Sequence, residues 1–238
     1  MPLLNRFTAP LWDLDTFYVW DDFSWDQTDL SWIDTITDSG SALVGDATRG
    51  IMTLTPSDGT VADNDEVYLA SANALFIYAA NRPLYGEARL QFTETTSGVY
   101  NAFFGFGSSV AANFLVDDGG GMRASGSVVA IYKVDGGTVW RCTARNGATV
   151  TDSVSTKTAG GSAYQKLQII GDSPDGVNVT FTYKVDDEFL RDANGLVIRH
   201  TVPIASATIM QVAAGAKLGA ATNNDVLNVD YVYAAQHR

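Results

Sequence analysis

The sequence predicts an all-β fold, an antiparallel β-sandwich preceded by an extended N-terminal arm. Three observations carry that expectation. Apolar and polar residues alternate with period two in many short runs, the pattern of strands with one buried face. Gly, Asp and Asn clusters punctuate those runs every 8–15 residues, as at Ser57-Asp58-Gly59, Asp117 to Gly121, Asp172 to Gly176 and Asn223-Asn224-Asp225. A 3.6-residue apolar period is almost absent; only Ser71 to Ala80 and Ser109 to Leu115 read as turns of helix.

The elements follow in chain order. Residues 1–35 form the arm and first strand, and residues 36–238 the sandwich domain. The arm carries Trp12, Trp20, Trp25 and Trp32 among Asp13, Asp15, Asp21, Asp22, Asp26, Asp29 and Asp34, and no basic residue lies between Arg6 and Arg49. Rings of this size are expected against a protein surface rather than in water. Phe17 to Phe23 is strand-like and reads as the first strand, which would leave residues 1–16 as the arm proper. Strands are then expected at 51–55, 66–70, 87–93, 102–107, 127–134, 138–144, 164–171, 178–185, 196–202, 208–214 and 226–234. Ala88, Leu90 and Phe92 share one face of theirs, as do Val179, Phe181, Tyr183 and Val185. Asp135-Gly136 between two such runs is a hairpin turn, since both residues tolerate positive φ. The run Phe103-Phe104-Gly105-Phe106-Gly107 reads as core packing, and the glycines of Asp117 to Gly121 as a loose loop tip.

Composition excludes several function classes. With 46% apolar and 18% charged residues the chain is globular. No apolar run approaches the ~18 residues of a membrane span, and Met-Pro-Leu-Leu-Asn-Arg does not read as a signal peptide. The net charge is −12, with 15 basic residues scattered singly. Nucleic acid and anionic membranes both need a basic face, so neither is an expected partner. Cys142 stands alone, which rules out an intrachain disulfide and points to a buried thiol.

Three segments resemble the laminin-G-like or concanavalin-A-like jelly roll: Glu87 to Phe92, the pair 164–171 and 178–185, and the closing strand Leu227-Asn228-Val229-Asp230-Tyr231-Val232-Tyr233. That resemblance implies a jelly-roll sandwich over about residues 40–235. A narrower resemblance is to structural proteins of tailed phages. It rests on Tyr18 to Phe23, Pro56 to Val67 and Tyr132-Lys133-Val134-Asp135-Gly136-Gly137-Thr138-Val139-Trp140. It implies a virion protein on the capsid exterior, of the head-decoration or cement kind. Such a protein would dock on the major capsid protein and self-associate as a homotrimer.

Catalytic patterns are missing. Of two histidines, His237 is penultimate and His200 lies in a strand-like run, with no Gly-x-Ser-x-Gly elbow. The glutamates Glu66, Glu87, Glu94 and Glu188 form no Glu-x-Asp-x-x-Glu strand, although Glu87 and Arg89 could share a sheet face. Asp63 to Glu66 and Asp117-Asp118 are oxygen-rich enough for calcium but read as solvated turns. No catalytic residue, cofactor or metal is expected. Partner binding is assigned to Leu4, Phe7, Leu11, Trp12, Phe17, Trp20 and Trp25. The alternative is a carbohydrate- or receptor-binding module of a fibre or tail, which requires Trp140, or Tyr132 and Tyr183, on an exposed concave face.

Overall fold

The computed structural model describes residues 15–24, 31–46 and 50–238. These build an antiparallel sandwich. The first large sheet contains β1 (Thr16–Asp21), β3 (Ser39–Asp46), β4 (Ile51–Ser57), β6 (Leu84–Gln91), β13 (Gln165–Asp172), β14 (Asn178–Val185), β15 (Glu188–Phe189), β16 (Arg199–Pro203) and β18 (Leu227–His237). Its order is β15-β14-β13-β6-β18-β4-β3, with β1 on β18 and β16 on β14. The second sheet runs β12-β11-β10-β7-β17-β5-β2, from β12 (Thr149–Thr158), β11 (Val139–Asn146), β10 (Ser127–Lys133), β7 (Tyr100–Gly107), β17 (Gln211–Leu218) and β5 (Glu66–Ser71) to β2 (Trp32–Ile36). A short pair, β8 (Leu115–Val116) and β9 (Gly121–Met122), stands apart from both.

Period-two patterning explains the main core. Ala88, Leu90, Leu167, Ile169 and Phe181 of the first sheet meet Phe104, Phe106, Ile131, Trp140 and Val212 of the second, all buried. The Asp135-Gly136 turn joins β10 to β11 as expected, with Gly136 at φ 75°. The leader is built into the sandwich wherever it is described. β1 pairs with β18 in the first sheet and β2 with β5 in the second, so the expected boundary after residue 35 falls inside β2. Trp32 is a core residue: its Nε1 donates to Asp21 Oδ2 at 2.7 Å, and its ring packs on Phe23.

Three expectations need correction. Neither helical segment is helical; Ser71 to Ala80 is irregular and held by a Phe76–Met210 bridge, and Ser109 to Leu115 is a run of bends and turns. The strands β3 and β12 had no clear signal. β12, Thr-Val-Thr-Asp-Ser-Val-Ser-Thr-Lys-Thr, is an edge strand whose two valines point to solvent, so its apolar alternation is inverted. The glycines of Asp117 to Gly121 are not a loose tip. Together with Phe114, Leu115 and Met122 they form a cap over the middle of the second sheet's outer face, in a second apolar cluster with Tyr68, Phe103, Val128, Ala130 and Tyr132.

Candidate functional site

The two outer faces of the sandwich are chemically opposite. On the first sheet, strand register sets side chains of β13, β6, β18 and β1 in three cross-strand rows. These rows are Lys166–Arg89–Tyr231, Gln168–Glu87–Tyr233–Trp20 and Ile170–Tyr85–Ala235–Tyr18. The aromatic end of this lattice is open: Trp20 and Tyr18 are each 53% exposed. Ring centroids lie 5.3 Å apart for Trp20–Tyr231, 6.1 Å for Trp20–Tyr233, 6.4 Å for Tyr18–Tyr233 and 5.8 Å for Tyr85–Tyr233, so the rings form one continuous ledge. A β-bulge in β18 between Val229 and Tyr231 produces it. Strict alternation would put Val229, Tyr231 and Tyr233 on one side; the extra residue, Asp230, shifts the phase so that the valines 229 and 232 enter the core and both tyrosines face out.

Glu87 sits at the base of the ledge and is already satisfied. Tyr231 Oη donates to its Oε1 at 2.6 Å, Gln168 Nε2 donates to its Oε2 at 2.8 Å, and Tyr85 Oη donates to the same oxygen. Burial, reinforced by the Glu87 carboxylate, pushes the Tyr85 and Tyr231 phenols well above their ordinary value, so both stay protonated as donors. Arg89 pairs with Asp230 and lies over the Tyr164 ring at 4.6 Å. The ledge therefore offers aromatic area over a base of engaged polar groups, Glu87, Gln168, Tyr85 and Arg89.

Of the residues assigned to partner binding, Trp20 alone is found on the exposed ledge. Phe17 turns inward onto Phe76, with ring centroids 5.4 Å apart, and is partly buried against the core. Leu4, Phe7, Leu11, Trp12 and Trp25 lie outside the described residues. Tyr18, Tyr231 and Tyr233 escaped sequence reasoning, because their sidedness depends on the bulge and on a pairing between chain ends.

The cap covers the middle of the second sheet's outer face, over β5, β7, β10 and β17, while Ile33 of β2 and Val150 and Val154 of β12 stay exposed on its flanks. Lys217, with its side chain wholly buried, pairs with Glu66 at 3.3 Å and with Asp117 of the cap. Lys133, equally buried, reaches Glu94 at 2.5 Å. Glu66 and Asp117 of the acidic turns are thus paired within the chain, and Asp65 accepts the Ala62 N–H at 2.8 Å. Among the described residues no group of three or more metal-ligating side chains occurs. The rings required for a sugar platform are interior. Trp140 and Tyr183 are 0% exposed and Tyr132 2%, which overturns that placement of a glycan site.

His200 is buried too. Tyr183 Oη donates to the Thr143 carbonyl at 3.0 Å, so it accepts from His200 Nδ1, leaving Nε2 to accept from Ser153 Oγ at 3.0 Å. Burial lowers the His200 pKa to about 4. This is a serine–imidazole pair, but it ties edge strand β12 to β16 rather than opening on a cleft. A crevice of 560 Å³ nearby is lined by Thr156, Lys157 and Asp187 to Arg191, and does not include Ser153. Its carboxylates are engaged, Asp187 with Lys166 at 2.7 Å and Glu188 with Lys157 at 3.8 Å. Cys142 is fully buried, and that burial pushes its thiol well above the ordinary range.

The chain matches no protein-family profile and no curated protein sequence. Solved structures do share its fold. An endo-1,3-beta-glucanase from Streptomyces sioyaensis aligns at a TM-score of 0.59 and 15% identity, over 97% of this chain and 99% of that one. Peanut lectin aligns at 0.59 and 11%, over 93% and 97%. Lectin I from Ulex europaeus, in complex with a methyl glycoside of fucose, aligns at 0.59 and 10%, over 94% and 98%. The fold is the concanavalin-A-like jelly roll. At these identities the likeness speaks to architecture alone.

Proposed function

We propose that this chain is a non-enzymatic virion structural protein of a tailed phage, a decoration or cement subunit that docks on the major capsid protein from the capsid exterior. The observation that carries the reading is the Tyr18–Trp20–Tyr231–Tyr233 ledge. It is an open aromatic surface on one outer face of the sandwich, whereas the cap covers the centre of the other, and β1 of the aromatic leader contributes Tyr18 and Trp20 to it. Contiguous aromatic area of this kind suits a protein partner, where large rings fill pockets and supply most of the binding energy. Trp20 is the expected anchor, with Leu4, Phe7, Leu11, Trp12 and Trp25 of the leader extending the contact. Self-association as a homotrimer belongs to the same proposal.

A second reading, a carbohydrate-binding module, is favoured by the lectin-like architecture and by the exposed Trp20 indole, which offers a face for sugar stacking. It is the weaker reading on this geometry. Hydroxyl recognition needs unengaged polar groups, and Glu87 and Arg89 already have partners.

Both readings are tested by sedimenting the chain with capsids assembled from the co-encoded major capsid protein, and in parallel by a glycan array. Trp20→Ala with Tyr231→Ala is expected to abolish sedimentation with particles while the variant stays folded by circular dichroism. Undiminished capsid binding by this variant would remove the ledge from the interface. Glycan binding that the same variant abolishes, with no capsid binding by the parent chain, would replace the first reading by the second.

A further inference from the structure

Beneath the cap, three groups meet that can react with one another. Lys217 Nζ, on a wholly buried side chain, lies 2.7 Å from Asn113 Oδ1, 3.2 Å from the Leu115 carbonyl and 3.3 Å from Glu66 Oε2, and it also contacts Asp117 Oδ1. The Glu66 side chain is 2% exposed. It receives the Tyr68 hydroxyl and the backbone N–H of Asn113, at 2.8 and 3.1 Å to its two oxygens. The surroundings are Tyr68, Phe103, Phe114 and Leu115, all buried. Asn113 closes the cluster from the solvent side, on an exposed turn where its own φ is 58°. A primary amine, a carboxamide and a carboxyl group therefore meet at one site, the amine and the carboxyl buried and the carboxamide open to water.

We propose that Lys217 and Asn113 join in an intramolecular isopeptide bond, with Glu66 as the proton carrier. Glu66 takes a proton from the Lys217 ammonium, and the freed amine lone pair attacks Asn113 Cγ while the carbonyl electron pair moves onto Oδ1. Glu66 then passes its proton to Nδ2. The tetrahedral centre collapses, the Cγ–Nδ2 bond breaks, and ammonia leaves. The second proton released by the attacking nitrogen follows through Glu66 and departs with the ammonia as ammonium. An ammonium and a carboxamide go in, an amide and an ammonium come out, and no further reactant is required. The wholly buried Lys217 side chain and the Glu66 side chain beside it keep water from the attacking nitrogen, so the amine reaches the carboxamide without a solvent shell to shed. Asn113 is the electrophile rather than Asp117, because a neutral carboxamide accepts an amine more readily than a carboxylate and because Glu66 holds Asn113 by its own N–H. The product would fasten the cap to β17 and hold it over the centre of the second sheet's outer face, independently of anything that happens at the ledge.

Intact-mass measurement of the purified full chain tests this, followed by digestion and fragment sequencing. The expected result is a mass lower than that of the sequence by one ammonia, with a branched peptide joining Lys217 to Asn113. Asn113→Ala, on the exposed side of the cap, should fold and show the unshifted sequence mass. Glu66→Gln, judged folded by circular dichroism, should also remain uncrosslinked. Wild-type protein that stays folded at neutral pH yet keeps its full mass overturns the proposal. So does an ammonia loss that persists in Asn113→Ala, or a loss of one water that maps to Asp117.

Discussion

The outer faces of the two sheets were built from similar ingredients and ended differently. Each carries a glutamate bonded to tyrosines and flanked by basic side chains: Glu87 with Tyr85 and Tyr231 on the first sheet, Glu66 with Tyr68 on the second. On the first sheet these groups lie half-open beside Trp20 and Tyr18. On the second, the Asn113–Met122 segment folds down over them, Phe114 and Leu115 displace water, and Lys217 and Glu66 become a buried pair. Water access therefore decides what the same chemistry is good for. In the sealed face, polar groups govern stability, because a buried charge without its partner is costly. On the open face they hold aromatic rings in place, and the rings remain available to a partner.

That contrast can be broken most strongly at Lys217. Lys217→Ala removes both the neighbour of buried Glu66 and the tie between the cap and β17, ionic or covalent, and is expected to destabilise the fold by roughly 3–5 kcal/mol, seen as a large fall in the urea midpoint. A midpoint shift no larger than for a surface lysine would mean that the cap does not exclude water.

Acid should weaken the interior before it touches the ledge. The folded His200 has a pKa of about 4 against an unfolded value near 6.5, so the unfolded chain binds the extra proton between those values. Its contribution is complete above pH 6.5 and is lost as pH falls toward 4, up to about 3 kcal/mol. His200→Gln should flatten that limb of the stability–pH curve, and an unchanged slope from pH 6.5 to 4 would assign the acid sensitivity elsewhere.

The cap contact can be pried open by a single methyl group. A Cβ at Gly107 would stand 2.3 Å from the Phe114 ring, so Gly107→Ala should cost about 1–3 kcal/mol. Binding of a hydrophobic dye should rise as the cap lifts. Faster proteolysis within residues 108–126 would report the same opening.

The smallest stability effect belongs to the ledge. Trp20→Ala and Tyr18→Ala remove half-exposed rings and should each shift stability by no more than about 1 kcal/mol, measured by thermal melting. A loss of several kcal/mol from either would make the ledge a structural element and remove the contrast between the two faces.

Much of the fold was legible because strand sidedness is local. Ala88, Leu90 and Phe92, or Val179, Phe181 and Tyr183, announce a buried face without reference to any other segment, and these residues are core in the structure. The same rule failed at β12, where Thr and Ser face inward and Val150 and Val154 outward, since an edge strand gains little from burying one side. It also could not sort the leader's tryptophans: Trp20 is surface and Trp32 is core, although both stand in acidic surroundings. What separates them is pairing, Trp20 opposite Tyr233 on the first sheet and Trp32 opposite Ser71 on the second.

By itself, then, the sequence determined an all-β antiparallel sandwich, its acidic balance, a buried lone cysteine and an aromatic first strand, since each follows from residue type and short-range spacing. Which glutamate is sealed and which is open, which tyrosines line the ledge, and where Lys217 finds Asn113 were decided by tertiary structure. Those outcomes depend on a one-residue bulge near the C-terminus and on a cap that meets β5, β7 and β17 from distant parts of the chain. Burial is a property of the neighbours a residue acquires, and no local pattern encodes them.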